Sequence, residues 1–103
     1  MEVHQSDIIV CKPKYNAFWG SDLEAVLRGR HVESVIFAGI ACDVCVMTTL
    51  IDAFHRDFNP ILALDATGSP FPNMERMLWH IETFWGRILT TDEIIMETDT
   101  LKA

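Results

Sequence analysis

The residue in this sequence best placed for chemistry is a cysteine, Cys45. An apolar run at residues 35–38 leads into a turn of mostly small residues at 39–41, and Cys45 follows at the start of a helical pattern. A buried strand delivers the chain to the carboxyl edge of a sheet, and the next helix directs its free N–H groups back at the turn. Because the helix dipole favours an anion, a thiol held there is favoured as thiolate. We therefore predict that Cys45 is a nucleophile rather than one more small buried hydrophobe, which is the alternative.

A lysine, Lys12, follows another strand pattern. Residues 7–11 form a β-branched apolar run bounded by Asp7 and Pro13. This run predicts a short buried strand that ends at Lys12. Lys12 is thus expected at the carboxyl end of its strand, the position at which α/β sheets place their ligand sites.

The elements needed to hold these residues alternate along the chain, which predicts an α/β fold with a parallel sheet. A capping box at 21–24 opens a helix through residue 30, and Asn73 is a predicted N-cap. The remaining predicted elements are strands at 32–39, 61–64 and 87–90, helices at 43–58 and 73–84, and a brief last helix capped by the box at 90–93.

Length and composition limit the classes of function. A chain of 103 residues that is 50% hydrophobic has room for one small domain. Its net charge of −7 argues against nucleic acid and anionic membranes as partners. No apolar stretch approaches the ~20 residues needed to span a bilayer. The three cysteines show no framework spacing and no signal peptide is visible, so we expect free thiols in the cytoplasm.

Several segments together resemble the isochorismatase-like cysteine hydrolases, a family that includes nicotinamidases, N-carbamoylsarcosine amidohydrolases and ureidoacrylate amidohydrolases. The matching segments are residues 12–18, 20–23, 39–46, 52–54 and 65–67. Residues 81–86, Ile-Glu-Thr-Phe-Trp-Gly, are most similar to the ureidoacrylate branch. The resemblance implies a three-layer α/β fold with a parallel sheet, of which residues 1–103 form a partial domain lacking the first two strands.

The resemblance also implies roles for single residues. Cys45 matches the nucleophile that attacks an amide, carbamoyl or ureido carbonyl to form an acyl-enzyme, and Lys12 matches the cation beside it. Ala41 and Cys45 match the positions whose backbone N–H groups form the oxyanion hole, next to a cis peptide bond between Ile40 and Ala41. The implied function is hydrolysis of C–N bonds in small molecules, and we predict no cofactor.

Aromatic residues in the loop after Lys12 are candidates for the substrate pocket. Tyr15, Phe18 and Trp19 lie in this loop, beside the predicted edge of the sheet. We predict that they contact substrate, although aromatic residues in such loops serve about as often in core packing.

The family's third catalytic residue, an aspartate on an upstream strand, has no counterpart in this sequence. Asp7 opens one predicted strand and His31 precedes another, so both are expected at the opposite edge of the sheet from Cys45. The chain alone is therefore predicted to be weakly active or inactive. The alternative function is a catalytically inactive remnant that self-associates. Because unpaired strand edges are costly, we predict that the exposed edges pair in a homo-oligomer. The alternative is that the 7–11 strand shifts and pairs beside residues 32–39.

The cysteines and histidines raise two alternative site types. Cys42 and Cys45 have the spacing of a thioredoxin-like dithiol, but the surrounding Trp-Cys-Gly-Pro-Cys context is missing. A zinc site would need clustered ligands. The histidines, His4, His31, His55 and His80, show no ligand spacing with these cysteines, so no metal is predicted.

Overall fold

Three parallel strands alternate with helices in the computed structural model, which describes residues 2–70 and 74–102. In chain order the elements are α1 (Leu23–Gly29), β1 (Ser34–Gly39), a first π-helical turn (Cys42–Val46), α2 (Met47–His55), β2 (Asn59–Thr67), α3 (Met74–His80), a second π-helical turn (Ile81–Trp85), β3 (Arg87–Leu89) and α4 (Thr91–Lys102). The predicted α/β class with a parallel sheet is confirmed.

The sheet has the order β1-β2-β3, with β2 in the centre. Ile36 of β1 lies opposite Ile61, and Leu62 lies opposite Ile88 of β3. Residues 60–63 of β2 are buried, as expected for a central parallel strand that is covered on both faces. All strands run in one direction, so their carboxyl ends meet at one edge, where β1 leads into the first π turn.

One core cluster joins the central strand to the helices. Cys42, Val46 and Leu50 recur every fourth residue and so form one stripe along the first π turn and α2. This stripe packs against Leu62 of β2 and Ile81. Leu50, Leu62 and Ile81 are fully buried, so the position of the first π turn is fixed by the core beneath it.

The predicted strand at residues 7–11 is wrong, since this segment has no regular secondary structure. Its side chains Ile8 and Ile9 are exposed, at 48% and 75%. A strand is stable only when its backbone groups are paired and its apolar side chains are covered. No described residue pairs with the outer edge of β1, so the predicted shift of this segment beside β1 is also wrong. Pairing of that edge with a second chain remains a prediction.

The helix predictions were correct in place but not in detail. The helix predicted at 43–58 begins as a π turn and ends at His55, because Asp57 adopts a left-handed backbone with φ of 68°. The capping box before α4 is confirmed: the Glu93 N–H donates to the Thr90 hydroxyl at 3.2 Å, and the Thr90 N–H donates to the Glu93 carboxylate at 2.9 Å. The predicted cap Asn73 lies outside the described residues.

Candidate active site

The structure brings Lys12 and Cys45 into contact. The Lys12 Nζ lies 3.9 Å from the Cys45 Sγ, although the two residues are far apart in the chain. Cys45 is in the first π turn, directly before α2, and the expected cis peptide bond between Ile40 and Ala41 is present. Lys12 lies in an irregular segment instead of at the end of a strand. The two residues therefore meet as predicted, but the element that carries the lysine is different.

Cys45 borders an open cavity of about 320 Å³. Lys12 and Thr49 line the cavity beside the half-buried sulfur, and β1 contributes apolar residues that include Ile36. Ile40, at its rim, is 79% exposed. A thiol beside an ammonium, in a mainly apolar cavity of this size, is suited to a small uncharged carbonyl group.

The backbone around Ala41 is fixed by hydrogen bonds to its carbonyl oxygen. That oxygen accepts from the Val44 N–H at 3.2 Å and from the Val46 N–H at 3.1 Å. The N–H of the next residue, Cys42, donates to the Gly68 carbonyl at 2.8 Å. The N–H of Ala41 donates to no acceptor within residues 2–70 and 74–102. An oxyanion hole formed by the N–H groups of Ala41 and Cys45 stays a prediction.

Side chains of α2 hold the segment that carries Lys12. The Thr49 hydroxyl accepts the Ala17 N–H at 3.0 Å and donates to the Cys45 carbonyl at 2.7 Å, so one buried group connects the loop to the cysteine. The Asn16 side-chain amide donates to Asp52 at 2.6 Å. Sequence reasoning missed these residues. The available signal was a threonine and an aspartate three positions apart in the helix after the cysteine.

Asp52 belongs to a charged network that continues to α1. Arg56 donates to the Asp52 carboxylate at 2.8 Å and also pairs with Glu24, which in turn binds Arg28. Burial by itself would raise the pKa of Asp52, but the hydrogen bonds from Arg56 and Asn16 outweigh it, and the pKa lies below its ordinary value. Asp52 is therefore charged, and through Asn16 it holds the segment that carries Lys12. Its hydrogen bonds are to Asn16 and Arg56 and not to Cys45.

The three aromatic residues predicted to contact substrate separate into two kinds. Tyr15 and Trp19 are 65% and 56% exposed and line a groove of about 400 Å³, here called the aromatic groove, together with Lys14, Asn16 and Thr48. Phe18 does not line this groove or the Cys45 cavity. It is 5% exposed and packs against Phe58 and Ala53. For Phe18 the structure shows core packing.

No carboxylate among the described residues hydrogen-bonds the Cys45 sulfur. Asp43, which is close in sequence, accepts a hydrogen bond from Ser69 at 2.7 Å. All three cysteines are free, so Cys42 and Cys45 do not form a disulfide. Burial raises the pKa of the Cys42 thiol, which disfavours its thiolate.

Two further features are absent from residues 2–70 and 74–102. No group of three or more histidine, cysteine or acidic side chains lies close enough there to hold a metal ion. None of the helices in this part of the chain is long and apolar enough to cross a membrane.

Comparison with known proteins gives consistent matches. Residues 1–93 match the sequence profile of the isochorismatase domain. The ureidoacrylate amidohydrolase RutB of Stutzerimonas stutzeri is 40% identical over 88 residues, which cover 84% of this chain and 36% of that protein. The structure is similar to a cysteine hydrolase of Pseudomonas syringae pv. phaseolicola (TM-score 0.89, 31% identity, 96% of this chain and 52% of that one). It is also similar to the N-carbamoylsarcosine amidase of Thermoplasma acidophilum (TM-score 0.78, 25% identity, 87% and 51%). The chain thus spans about a third of the curated relative and half of each solved structure.

Proposed function

Since the chain belongs to the isochorismatase domain family, we propose that it carries the nucleophilic half of an active site that hydrolyses C–N bonds in small amide, carbamoyl or ureido compounds. The contact between Lys12 and Cys45 at 3.9 Å is the observation that carries this proposal. The names of the similar proteins, a ureidoacrylate amidohydrolase and a carbamoylsarcosine amidase, support the substrate class. The free thiols fit a reducing compartment, and we propose the cytoplasm.

The proposed reaction has two steps. The Cys45 thiolate attacks the carbonyl carbon, the C–N bond breaks, and the nitrogen leaves as an amine that takes up the proton given up by the thiol. Water then attacks the resulting thioester, which releases a carboxylic or carbamic acid and returns the proton to the sulfur. The N–H groups of Ala41 and Cys45 stabilise the negative charge on the carbonyl oxygen in both steps.

Lys12 has an electrostatic role in this proposal. An ammonium at ~4 Å from a thiolate stabilises it by about 1 kcal/mol in a water-like environment, and by more where the cavity excludes water. Because Lys12 also donates to the Lys14 carbonyl at 3.3 Å, its ammonium is held near the sulfur by a second contact. A change of about 1 kcal/mol in the stabilisation of the attacking sulfur corresponds to a roughly five-fold change in the rate of its reaction.

The first test is the rate at which iodoacetamide alkylates each cysteine, measured by peptide mapping. We expect Cys45 to react faster than Cys11, although Cys11 is the more exposed, and Cys42 to react slowest because it is buried. We expect Lys12→Met to slow Cys45 roughly five-fold. Equal labelling of Cys11 and Cys45 in the parent protein would overturn the proposal.

The second test is turnover of carbamoyl, ureido and nicotinamide substrates. We expect little or no activity from this chain by itself, because no described carboxylate contacts Cys45 to take its proton. Any activity should be lost in both Cys45→Ala and Lys12→Ala. Activity that survives Lys12→Ala but not Cys45→Ala would refute the role of the lysine, and activity that survives Cys45→Ala would refute the mechanism.

The second candidate function is an inactive, self-associating protein. It is favoured by the outer edge of β1, which no described residue pairs, and by the missing carboxylate contact. Both candidates predict low turnover, but only the first predicts accelerated alkylation of Cys45 that depends on Lys12. Cys45 reactivity that equals that of Cys11 and is indifferent to Lys12→Met would favour the inactive protein.

A further inference from the structure

The carboxyl end of β2 is longer than the matching part of β1. Phe37 of β1 lies opposite Leu62, whereas Gly39 lies opposite Thr67. Two steps along β1 thus correspond to five steps along β2, so β2 bulges by three residues. Bulges redirect a strand and are frequent next to active sites. This bulge brings residues 67–69, here called the strap, to the turn between β1 and the first π turn.

Each residue of the strap is hydrogen-bonded to the stretch of chain that leads to Cys45. The three bonds run from the Thr67 hydroxyl to the Gly39 carbonyl at 2.7 Å, from the Cys42 N–H to the Gly68 carbonyl at 2.8 Å, and from the Ser69 hydroxyl to the Asp43 carboxylate at 2.7 Å. Two of these bonds are donated by side-chain hydroxyl groups, so substitution can remove them without removing a backbone group.

The strap holds the peptide groups on both sides of the one that carries the Ala41 N–H. The bond to the Gly39 carbonyl holds the preceding peptide group, and the bond from the Cys42 N–H holds the following one. The Ala41 N–H itself donates to no acceptor within residues 2–70 and 74–102. Its direction therefore depends on these two neighbouring peptide groups.

The first half of this turn has little other support. Gly39 has a φ of 108°, in a region open chiefly to glycine, where the backbone has its greatest freedom. Ile40 is 79% exposed, so its side chain has little packing to hold it. The second half differs, because Cys42 and Val46 are buried. The Thr67 hydroxyl thus restrains the part of the turn that the core does not.

The bulge that precedes the strap is anchored on its other side. The carboxylate of Asp65, within the bulge, accepts the Thr91 N–H at 2.8 Å and the Thr91 hydroxyl at 2.7 Å. Thr91 is the first residue of α4. The strap therefore extends from a bulge that is fixed to α4, and from this fixed position it can restrain the turn.

We propose that the strap positions the Ala41 N–H for acyl transfer, with Thr67 and Ser69 as its positioning residues. This inference rests on the proposed function, in which that N–H stabilises the oxygen of a carbonyl group attacked by the Cys45 sulfur. A hydrogen-bond donor to such an oxygen loses much of its effect when it is displaced. Neither positioning residue contacts substrate, and each acts through the turn. Removing either hydroxyl should slow attack on a carbonyl without slowing other reactions of the sulfur.

The test compares two reactions of the Cys45 thiolate, in the full chain with Cys11→Ser. With p-nitrophenyl acetate an S–C bond forms, the ester C–O bond breaks, p-nitrophenolate leaves, and charge develops on the carbonyl oxygen. With iodoacetamide the sulfur displaces iodide from a saturated carbon, and no charge develops on a carbonyl oxygen. We expect Thr67→Val to lower the ratio of the acetylation rate to the alkylation rate roughly ten-fold, and Ser69→Ala to lower it roughly three-fold.

Two variants serve as matched controls. Thr67→Ser keeps the hydroxyl group and should keep the parental ratio. Thr98→Val removes a hydroxyl that donates to the Ile94 carbonyl at 2.9 Å inside α4, and it should change neither rate.

A parental ratio in Thr67→Val or in Ser69→Ala would refute the role of that residue. An equal loss of both rates, or a ratio in Thr67→Ser as low as in Thr67→Val, would overturn the positioning role. Iodoacetamide labelling of the buried Cys42 reports loss of the fold, and if Thr67→Val shows it, the ratio in Ser69→Ala decides. Release of p-nitrophenolate by the parent no faster than by Cys45→Ala would instead refute the proposed function, so the two failures are distinguishable.

Discussion

Replacing Thr49 by valine should release the segment that carries Lys12. Valine keeps the shape of threonine but removes the hydroxyl that accepts the Ala17 N–H at 3.0 Å and donates to the Cys45 carbonyl at 2.7 Å. Thr49 is 7% exposed, so water cannot readily replace the lost acceptor. Losing such a bond and leaving an N–H unpaired costs about 2 kcal/mol, a substantial part of the ~5–15 kcal/mol typical of a whole domain.

The neighbouring threonine provides the matched control. Within the described part of the chain, the Thr48 hydroxyl donates only to carbonyl groups of its own helical stretch, Val44 at 2.7 Å and Cys45 at 3.3 Å. Such a bond to a carbonyl one turn earlier adds little to helix stability. Thr48→Val should therefore change the free energy of unfolding by less than ~0.5 kcal/mol.

Two measurements check this prediction. Urea titration gives the free energy of unfolding for Thr49→Val, Thr48→Val and the parent. The iodoacetamide rate at Cys45 then reports whether Lys12 still faces the sulfur, and in Thr49→Val it should fall towards the value in Lys12→Met. Equal losses of stability in the two valine variants, or an unchanged Cys45 rate in Thr49→Val, would refute the connection between this hydroxyl and the lysine.

The remaining predictions concern packing at Gly86, the pH dependence of stability, and self-association. Gly86→Ala should destabilise the chain by about 1–3 kcal/mol, because an added Cβ would lie 2.6 Å from the Pro60 carbonyl oxygen; Gly29→Ala, with nothing within 4 Å, should be neutral or slightly stabilising by the same urea assay. The pKa of Asp52 is lowered in the folded protein. Its charge therefore contributes fully to the free energy of unfolding at a pH above the ordinary carboxyl pKa of ~3.9, and this contribution is lost as the pH falls through the lower pKa of the folded state. Asp52→Asn should accordingly make the free energy of unfolding depend less on pH below ~4, and an unchanged dependence on pH would contradict this. Light scattering should show a dimer or larger species that Ile36→Lys, on the strand whose outer edge no described residue pairs, converts to monomer; a monomeric parent would contradict edge pairing.

The sequence predicted best the features that are determined locally. The strand at β1, the turn after it and the helix that follows Cys45 come from contiguous residues whose pattern is unambiguous. The box formed by Thr90 and Glu93 is likewise local, and both of its hydrogen bonds are present. The contact between Lys12 and Cys45 was expected from the family resemblance. The resemblance indicates which residues distant in the chain lie close together, and local sequence patterns do not contain that information.

Features that depend on distant partners could not be predicted in the same way. Residues 7–11 have a clear strand composition, but a strand also needs a neighbour, and composition does not show whether one is available. Phe18 and Trp19 are adjacent aromatic residues in one loop, and Phe18 is the buried one because it packs against distant residues that include Phe58. The contacts of Asn16 and Thr49 join positions more than 30 residues apart, which no spacing rule connects.

The first π turn has a consequence for insertions and deletions. Connections between a strand and a helix usually vary in length with little penalty. Here the chain must leave β1, present Cys45 to the cavity and still bury Cys42, Val46 and Leu50 in one stripe. Each helical residue turns the chain by ~100°, so adding or deleting one residue would turn either the sulfur away from Lys12 or the stripe away from β2. Libraries that redesign this connection should therefore vary the identity of its residues and keep their number fixed.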